Sequence, residues 1–329
     1  MLMHGPAGTG KRHFAEALAA SLLCGSLDSD GSACGVCSSC HWFDQRSHPD
    51  FRLLSPEGLL SEPAASSLTY IEDNAGEHKK SATQITIEQI RELRSFVSLS
   101  AHKQGGTRVV LIHPADSINV FAANALLKML EEPPAQTLFL LVTDELRRLL
   151  PTIISRCRRY PMPGAEGGQA LDWLRQQGIG DAESLLAQAG GAPVAASALA
   201  KAGLQAERRH FFDQLITMSG PGSALALAAL VQKIALPTVL RWLSTWCYDL
   251  LAVHHAGSIR YHLDYRDAIT QVASRLLLDR LLVYLDLLKA AAASVAHPLN
   301  PRLFLEQLLL SYSQTIAPSS ASGHARTSQ

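Results

Sequence analysis

Gly5-Pro6-Ala7-Gly8-Thr9-Gly10-Lys11-Arg12 decides the reading of this chain. It fits the phosphate-binding pattern G-x-x-x-x-G-K-[ST] at every position but the last. Glycines at this spacing let backbone N–H groups curl around phosphate oxygens, and Lys11 is placed to reach the β- and γ-phosphates. The eighth position normally supplies a hydroxyl to Mg²⁺, and Arg12 cannot bind a cation. The strand expected to carry the metal-holding acids reads Val109-Val110-Leu111-Ile112, followed by His113-Pro114 where Asp-Glu would stand. Neither residue can hold Mg²⁺ or position a water for attack on a γ-phosphate. The pattern predicts an ATPase domain that no longer hydrolyses ATP.

Working outward, Met1–Met3 reads as the end of a strand entering the loop. Lys11 to Leu23 reads as a helix with Phe14, Leu18 and Leu22 on one face. A strand starting three residues before His4 is short for the centre of a parallel sheet, so either the chain is truncated or its start codon is placed too late. Phe51-Arg52-Leu53-Leu54 reads as a strand, and Ile87, Ile90, Leu93, Arg94 and Val97 as an amphipathic helix. Arg108–Ile112 and Leu138–Val142 read as buried strands flanking a helix over Val120–Leu130. Strands alternating with helices predict a parallel sheet in a three-layer α/β architecture. Residues 55–83 are rich in Ser, Glu, Ala and Pro without periodicity and read as a mobile insertion.

Composition shifts at Pro161-Met162-Pro163-Gly164. The remainder is rich in Ala and Leu, shows no convincing strand, and carries the stripe Leu277, Leu281, Leu285, Leu288, read as the core of a helical bundle. The expected division is an α/β domain over 1–162, a small helical domain over 163–205, a larger helical domain over 206–316 and a disordered tail over 317–329. A length of 329 residues suits two or three domains.

The charge balance, 29 basic against 29 acidic residues, argues against strong solitary binding to nucleic acid. Arg156-Cys157-Arg158-Arg159 is the densest basic run. The apolar stretch Leu276–Leu288 is broken by Asp279, Arg280 and Asp286, so no membrane span is expected. Met1-Leu2-Met3-His4-Gly5 has no basic leader or long apolar core, so a secretory signal is not expected and a cytoplasmic setting is.

Cys24, Cys34, Cys37 and Cys40 give C-x9-C-x2-C-x2-C. Tight C-x2-C turns converge thiolates on one ion, and four sulfurs complete a closed tetrahedral zinc shell with no open position for chemistry. The site would fold a loop over 24–40 that has too few apolar residues to fold alone. Disulfides or free thiols are the alternatives, the former disfavoured by a cytosolic setting. His41 and His48 are alternative ligands, and Cys157 and Cys247 read as packed thiols. Between Cys24 and Asp50 there is one basic residue apart from histidine, Arg46, too few for a module that grips nucleic acid.

Taken with His48-Pro49-Asp50, Asn124-Ala125-Leu126-Leu127-Lys128-Met129-Leu130-Glu131-Glu132-Pro133-Pro134 and Ser155-Arg156-Cys157, these features resemble the AAA+ subunits of the bacterial DNA polymerase III clamp loader, and the non-hydrolysing δ′ class in particular. The resemblance is strong over residues 4–160 and weaker over the helical remainder, where Asn300-Pro301-Arg302-Leu303 and the Leu-rich helix after it look like the family's collar segment.

It implies an AAA+ P-loop domain with a zinc module, a helical lid and a C-terminal collar. It also implies a stator that helps load the sliding clamp onto primed DNA, with τ/γ and δ subunits as partners. Arg156 would be an arginine finger acting in trans on a τ/γ neighbour's ATP. Gly5, Gly8, Gly10 and Lys11 would be a vestigial phosphate loop with ATP binding weak or absent. Cys24, Cys34, Cys37 and Cys40 would hold structural zinc. Val194, in Gly191-Ala192-Pro193-Val194-Ala195-Ala196, replaces the family's sensor-2 arginine. Thr143 stands at the sensor-1 position without companions. No ATPase or polymerase activity of its own is implied; polymerisation belongs to the holoenzyme. The competing readings are an active τ/γ-type ATPase and a zinc-dependent DNA-binding adaptor.

Overall fold

The computed structural model describes residues 1–56, 83–98, 106–294 and 300–316. Most of the expected insertion, 57–82, and the expected tail, 317–329, lie outside the described residues. The chain divides into two compact units, the first running to Trp173 and taking back Ala192–Ala198, the second holding Leu174–Gly191 and the rest from Leu199.

Five strands form the sheet of the first unit: β1 (Leu2–His4), β2 (Phe51–Leu54), β3 (Arg108–Ile112), β4 (Thr137–Thr143) and β5 (Arg159–Pro161). Their order is β2-β3-β4-β1-β5 and every pairing is parallel. All five β3 residues are buried, as a parallel strand covered on both faces requires. Its side chains alternate between two cores. Val110 and Ile112 pack with Leu2, Leu141, Ile90, Leu93, Leu126 and Ile153 on one face, and Val109 and Leu111 pack with Met3, Leu140, Ala15 and Ala19 on the other. This is the expected three-layer α/β architecture of an AAA+ P-loop domain.

Two details correct the sequence reading. The Lys11–Leu23 helix turns Ala15 and Ala19 inward, and leaves Phe14 and Leu22 exposed. Small residues on the inner face let the helix axis lie close over the sheet, so the larger side chains fall to the outside. The strand β5 was not legible: it is three residues long, starts in a basic run and ends in proline, which an edge position tolerates. Arg108 is buried, and its Nη1 donates to the carbonyls of Phe96 (3.1 Å) and Val97 (2.7 Å). Both carbonyls lie in the last turn of the Ile87–Ser98 helix, where no further N–H of the helix can reach them.

After Pro161 every described element is helical. In the second unit Phe211, Phe212, Trp242 and Trp246 pack with Leu281, Leu288, Leu305 and Leu309. Of the Leu stripe, Leu281 and Leu288 are in this core, Leu285 lies at its margin, and Leu277 is exposed just before the Leu278–Ser294 helix. The core also encloses charge, each group satisfied as burial demands. Arg208 donates to Asp264 Oδ2 (2.6 Å) and to His262 Nδ1 (2.7 Å), and Asp249 accepts the backbone N–H groups of Arg260, Tyr261 and His262. No helix among the described residues is long and apolar enough to cross a membrane.

Candidate functional site

The phosphate loop leaves β1 and runs into the Lys11–Leu23 helix with the backbone shape its glycines predict. Gly8 has φ +71°, and a Cβ there would lie 2.7 Å from Ala195 Cβ and 3.3 Å from Ala192 Cβ. Gly5 passes so close to the Met162 carbonyl that any side chain would collide with it. Gly10 faces Val194, whose Cγ2 is 3.6 Å from where a methyl on Gly10 would lie, and the Val194 N–H donates to the Gly8 carbonyl at 3.1 Å. Replacing Gly8 by Ala should therefore destabilise the first unit by about 1–3 kcal/mol, from left-handed strain and crowding together. Urea unfolding followed by near-UV signals would measure it.

Every cation of the loop is engaged from within. Lys11, 3% exposed, forms an ion pair with Asp144 Oδ1 at 2.6 Å and donates to the Pro6 carbonyl. Arg12 pairs with Glu16 at 3.0 Å. His113 is buried, and its Nδ1 has no hydrogen-bond partner. Burial, reinforced by the positive charge of Arg12 and Lys11, pulls its pKa from 6.5 to about 4, with Asp116 opposing. The imidazole is therefore neutral in the fold and takes a proton more readily when unfolded. Stability from this residue is complete above pH 6.5 and is lost as pH falls towards 4. Between pH 7 and pH 5 the loss should be about 2 kcal/mol, and His113→Phe should flatten that part of the pH profile of the urea midpoint.

Thr143, at the end of β4, is fully buried. Its hydroxyl donates to Asp116 Oδ1 at 2.6 Å and accepts the Glu145 N–H at 3.1 Å. Asp116 and Asp144 are the acids that sequence reading missed. Each lies outside the expected acid positions, and only the fold brings Asp144 to Lys11 and Asp116 to Thr143.

The four cysteine sulfurs all lie within 4.8 Å of one another. Cys24 Sγ is 3.6 Å from Cys34, 3.9 Å from Cys37 and 3.5 Å from Cys40, and Cys34 is 4.0 Å from Cys40. A tetrahedron with metal–sulfur bonds of about 2.3 Å puts sulfurs about 3.8 Å apart, so the residues fit a four-coordinate ion. N–H groups of Cys40 and Gly25 pull the Cys37 thiol down to about 6, and an N–H of Cys34 lowers Cys24, whereas burial pushes Cys40 up to about 12. Cys37 is thus the thiol that loses its proton more readily and Cys40 the one that holds it more firmly, and a bound metal would favour the thiolate form of both. The histidines are otherwise employed. His48 Nδ1 accepts the Asp50 N–H at 3.0 Å, so Nε2 carries the proton towards Ser39 Oγ at 2.7 Å, and His41 Nε2 lies 3.0 Å from Gln45. Cys157 and Cys247 stand apart, their thiols raised by burial.

Arg156 ends the Pro151–Arg156 helix. Its Nε donates to Glu131 Oε1 at 2.7 Å, its Nη2 pairs with the same oxygen, and its Nη1 donates to the Thr152 carbonyl at 3.1 Å. Glu131 lies inside the Leu130-Glu131-Glu132-Pro133-Pro134 run, but nothing local in the sequence shows this partnership.

A family model described as DNA polymerase III, delta subunit, matches residues 1–165, and one described as DNA polymerase III, delta subunit, C terminal, matches residues 202–314. The DNA polymerase III subunit delta' of Pseudomonas aeruginosa is 36% identical over 257 residues, covering 76% of this chain and 70% of that protein. The chain belongs to the DNA polymerase III delta' subunits. The delta' subunit of Escherichia coli K12 is 31% identical over 285 residues, 85% of this chain and 78% of its own. A gamma/tau subunit from Mycobacterium bovis is 33% identical over 160 residues, 49% of this chain and 23% of its own. Arg12 in the phosphate loop and His113 after β3 both lie within the residues that the first of these family models matches.

Proposed function

We propose that this delta' subunit is the stator of a bacterial clamp loader, a partner of τ/γ and δ subunits in opening the sliding clamp and closing it around primed DNA. It binds ATP weakly or not at all and hydrolyses none. Arg156 acts on the ATP of a τ/γ neighbour, and polymerisation belongs to the holoenzyme it serves in the cytoplasm. The ion in the four-cysteine shell is zinc, with a structural role. Residues 1–162, 163–205 and 206–316 serve as P-loop domain, lid and collar.

The observation that carries this reading is the state of the phosphate loop. The positions that would hold Mg²⁺ carry Arg12 and His113, and Lys11 is closed onto Asp144. An ATPase relies on a metal to bridge the β- and γ-phosphates and neutralise the developing charge. Neither position offers a hydroxyl or carboxylate oxygen to the ion: Arg12 is a cation paired with Glu16, and His113 is a neutral imidazole buried without a carboxylate's charge.

The test is ATP binding and turnover by the purified chain, alone and then mixed with τ/γ and δ subunits, clamp and primed DNA. No turnover alone, with Arg156-dependent turnover in the mixture, is the expected result. Turnover by the chain alone would transfer the lost role to Asp116 or Asp144 and make this subunit a motor.

A further inference from the structure

Arg156 and Glu131 end two different helices, Pro151–Arg156 and Val120–Glu131, and the fold brings their side chains into one ion pair. A guanidinium carries five N–H donors in one plane. Glu131 takes the edge formed by Nε and Nη2, and the Thr152 carbonyl takes a proton of Nη1, with Ser155 Oγ farther off at 3.4 Å. The outward donors that remain for an external anion belong to the Nη1–Nη2 end. The pair is too exposed to matter much for folding, with side-chain exposures of 34% for Arg156 and 46% for Glu131. Its geometry therefore calls for another reason.

We propose that Glu131 is a positioning residue for Arg156. It fixes the roll of the guanidinium so that the Nη1–Nη2 end faces the nucleotide phosphate of the adjoining subunit. This rests on reading Arg156 as a group that acts in trans. An arginine without that anchor samples many rotamers, and the cost of ordering it falls on the transition state. The carboxylate pre-orders the side chain before the neighbour arrives.

DNA-stimulated ATP hydrolysis by the reconstituted loader, carrying the full chain, tests this with four variants: Glu131→Ala, Glu131→Gln, Arg156→Ala and the Glu131→Ala/Arg156→Ala double substitution. Glu131→Ala should lower kcat about tenfold with little change in KM for ATP, since the neighbour binds the nucleotide. Glu131→Gln keeps an oxygen for the Nε–H and should restore most of the rate. In the Arg156→Ala background, Glu131→Ala should cost nothing more. A wild-type rate for Glu131→Ala beside a slow Arg156→Ala overturns the positioning role alone. A further loss in the double variant assigns Glu131 a structural part and also overturns it. A wild-type rate for Arg156→Ala overturns both readings together.

Discussion

Arg156→Ala should leave the chain folded and slow single-turnover ATP hydrolysis at the adjoining τ/γ site by about 10³-fold or more. The fold loses little, because the ion pair with Glu131 is partly exposed and screened by solvent. On the proposed reading, the neighbour would lose a planar cation set against the charge that builds on the γ-phosphoryl oxygens during transfer. Arg156→Lys should recover only part of the rate, since an ammonium lacks the fork and cannot keep the Glu131 and Thr152 contacts together. The measurement is hydrolysis in the presence of clamp and primed DNA, with circular dichroism of the isolated variant as the control for folding. An unchanged rate would sink the assignment of Arg156.

Cys37→Ser should empty the metal site and loosen the whole first unit. Structural zinc contributes about 10–16 kcal/mol of binding free energy in small zinc-dependent folds, so removing one of four thiolates takes away the module's main source of order. The loss spreads because the module is tied to the sheet: Ser39 on the Ser38–Asp44 helix is hydrogen-bonded to His48, and His48 holds the Asp50 N–H just before β2. Zinc content measured after gel filtration should fall from one ion per chain to near zero, and the melting temperature should drop with it. Four reduced thiols in the unaltered chain with no metal bound would count against the site.

Features that depend on near neighbours in sequence were readable. The phosphate loop, the clustered cysteines, the all-apolar run of β3 after Arg108 and the helix over Lys11–Leu23 each declare themselves through spacing or continuous hydrophobicity. The side on which that helix packs did not, because burial went to Ala15 and Ala19, whose size suits close approach, while larger Phe14 stayed outside. Partnerships across the fold were silent for a different reason. Asp144 and Lys11, Asp116 and Thr143, and Glu131 and Arg156 are ordinary charged or polar residues whose meaning comes from strands and helices meeting in space. Arg208 is the extreme case: in sequence it is one more surface arginine, yet it sits in the helical core against His262 and Asp264.

The place of β1 in the sheet also sets an order of events at the ribosome. Leu2–His4 is hydrogen-bonded between β4 and β5, the last two strands of the sheet to be synthesised. The chain emerges N-terminus first, so this strand must wait until β4 has been made. Pairing over such a separation spends loop entropy before it returns any contact. β5, the neighbour on the other side of β1, comes later still, so the strand that leads into the glycine loop can be paired along both edges only once Pro161 has been made.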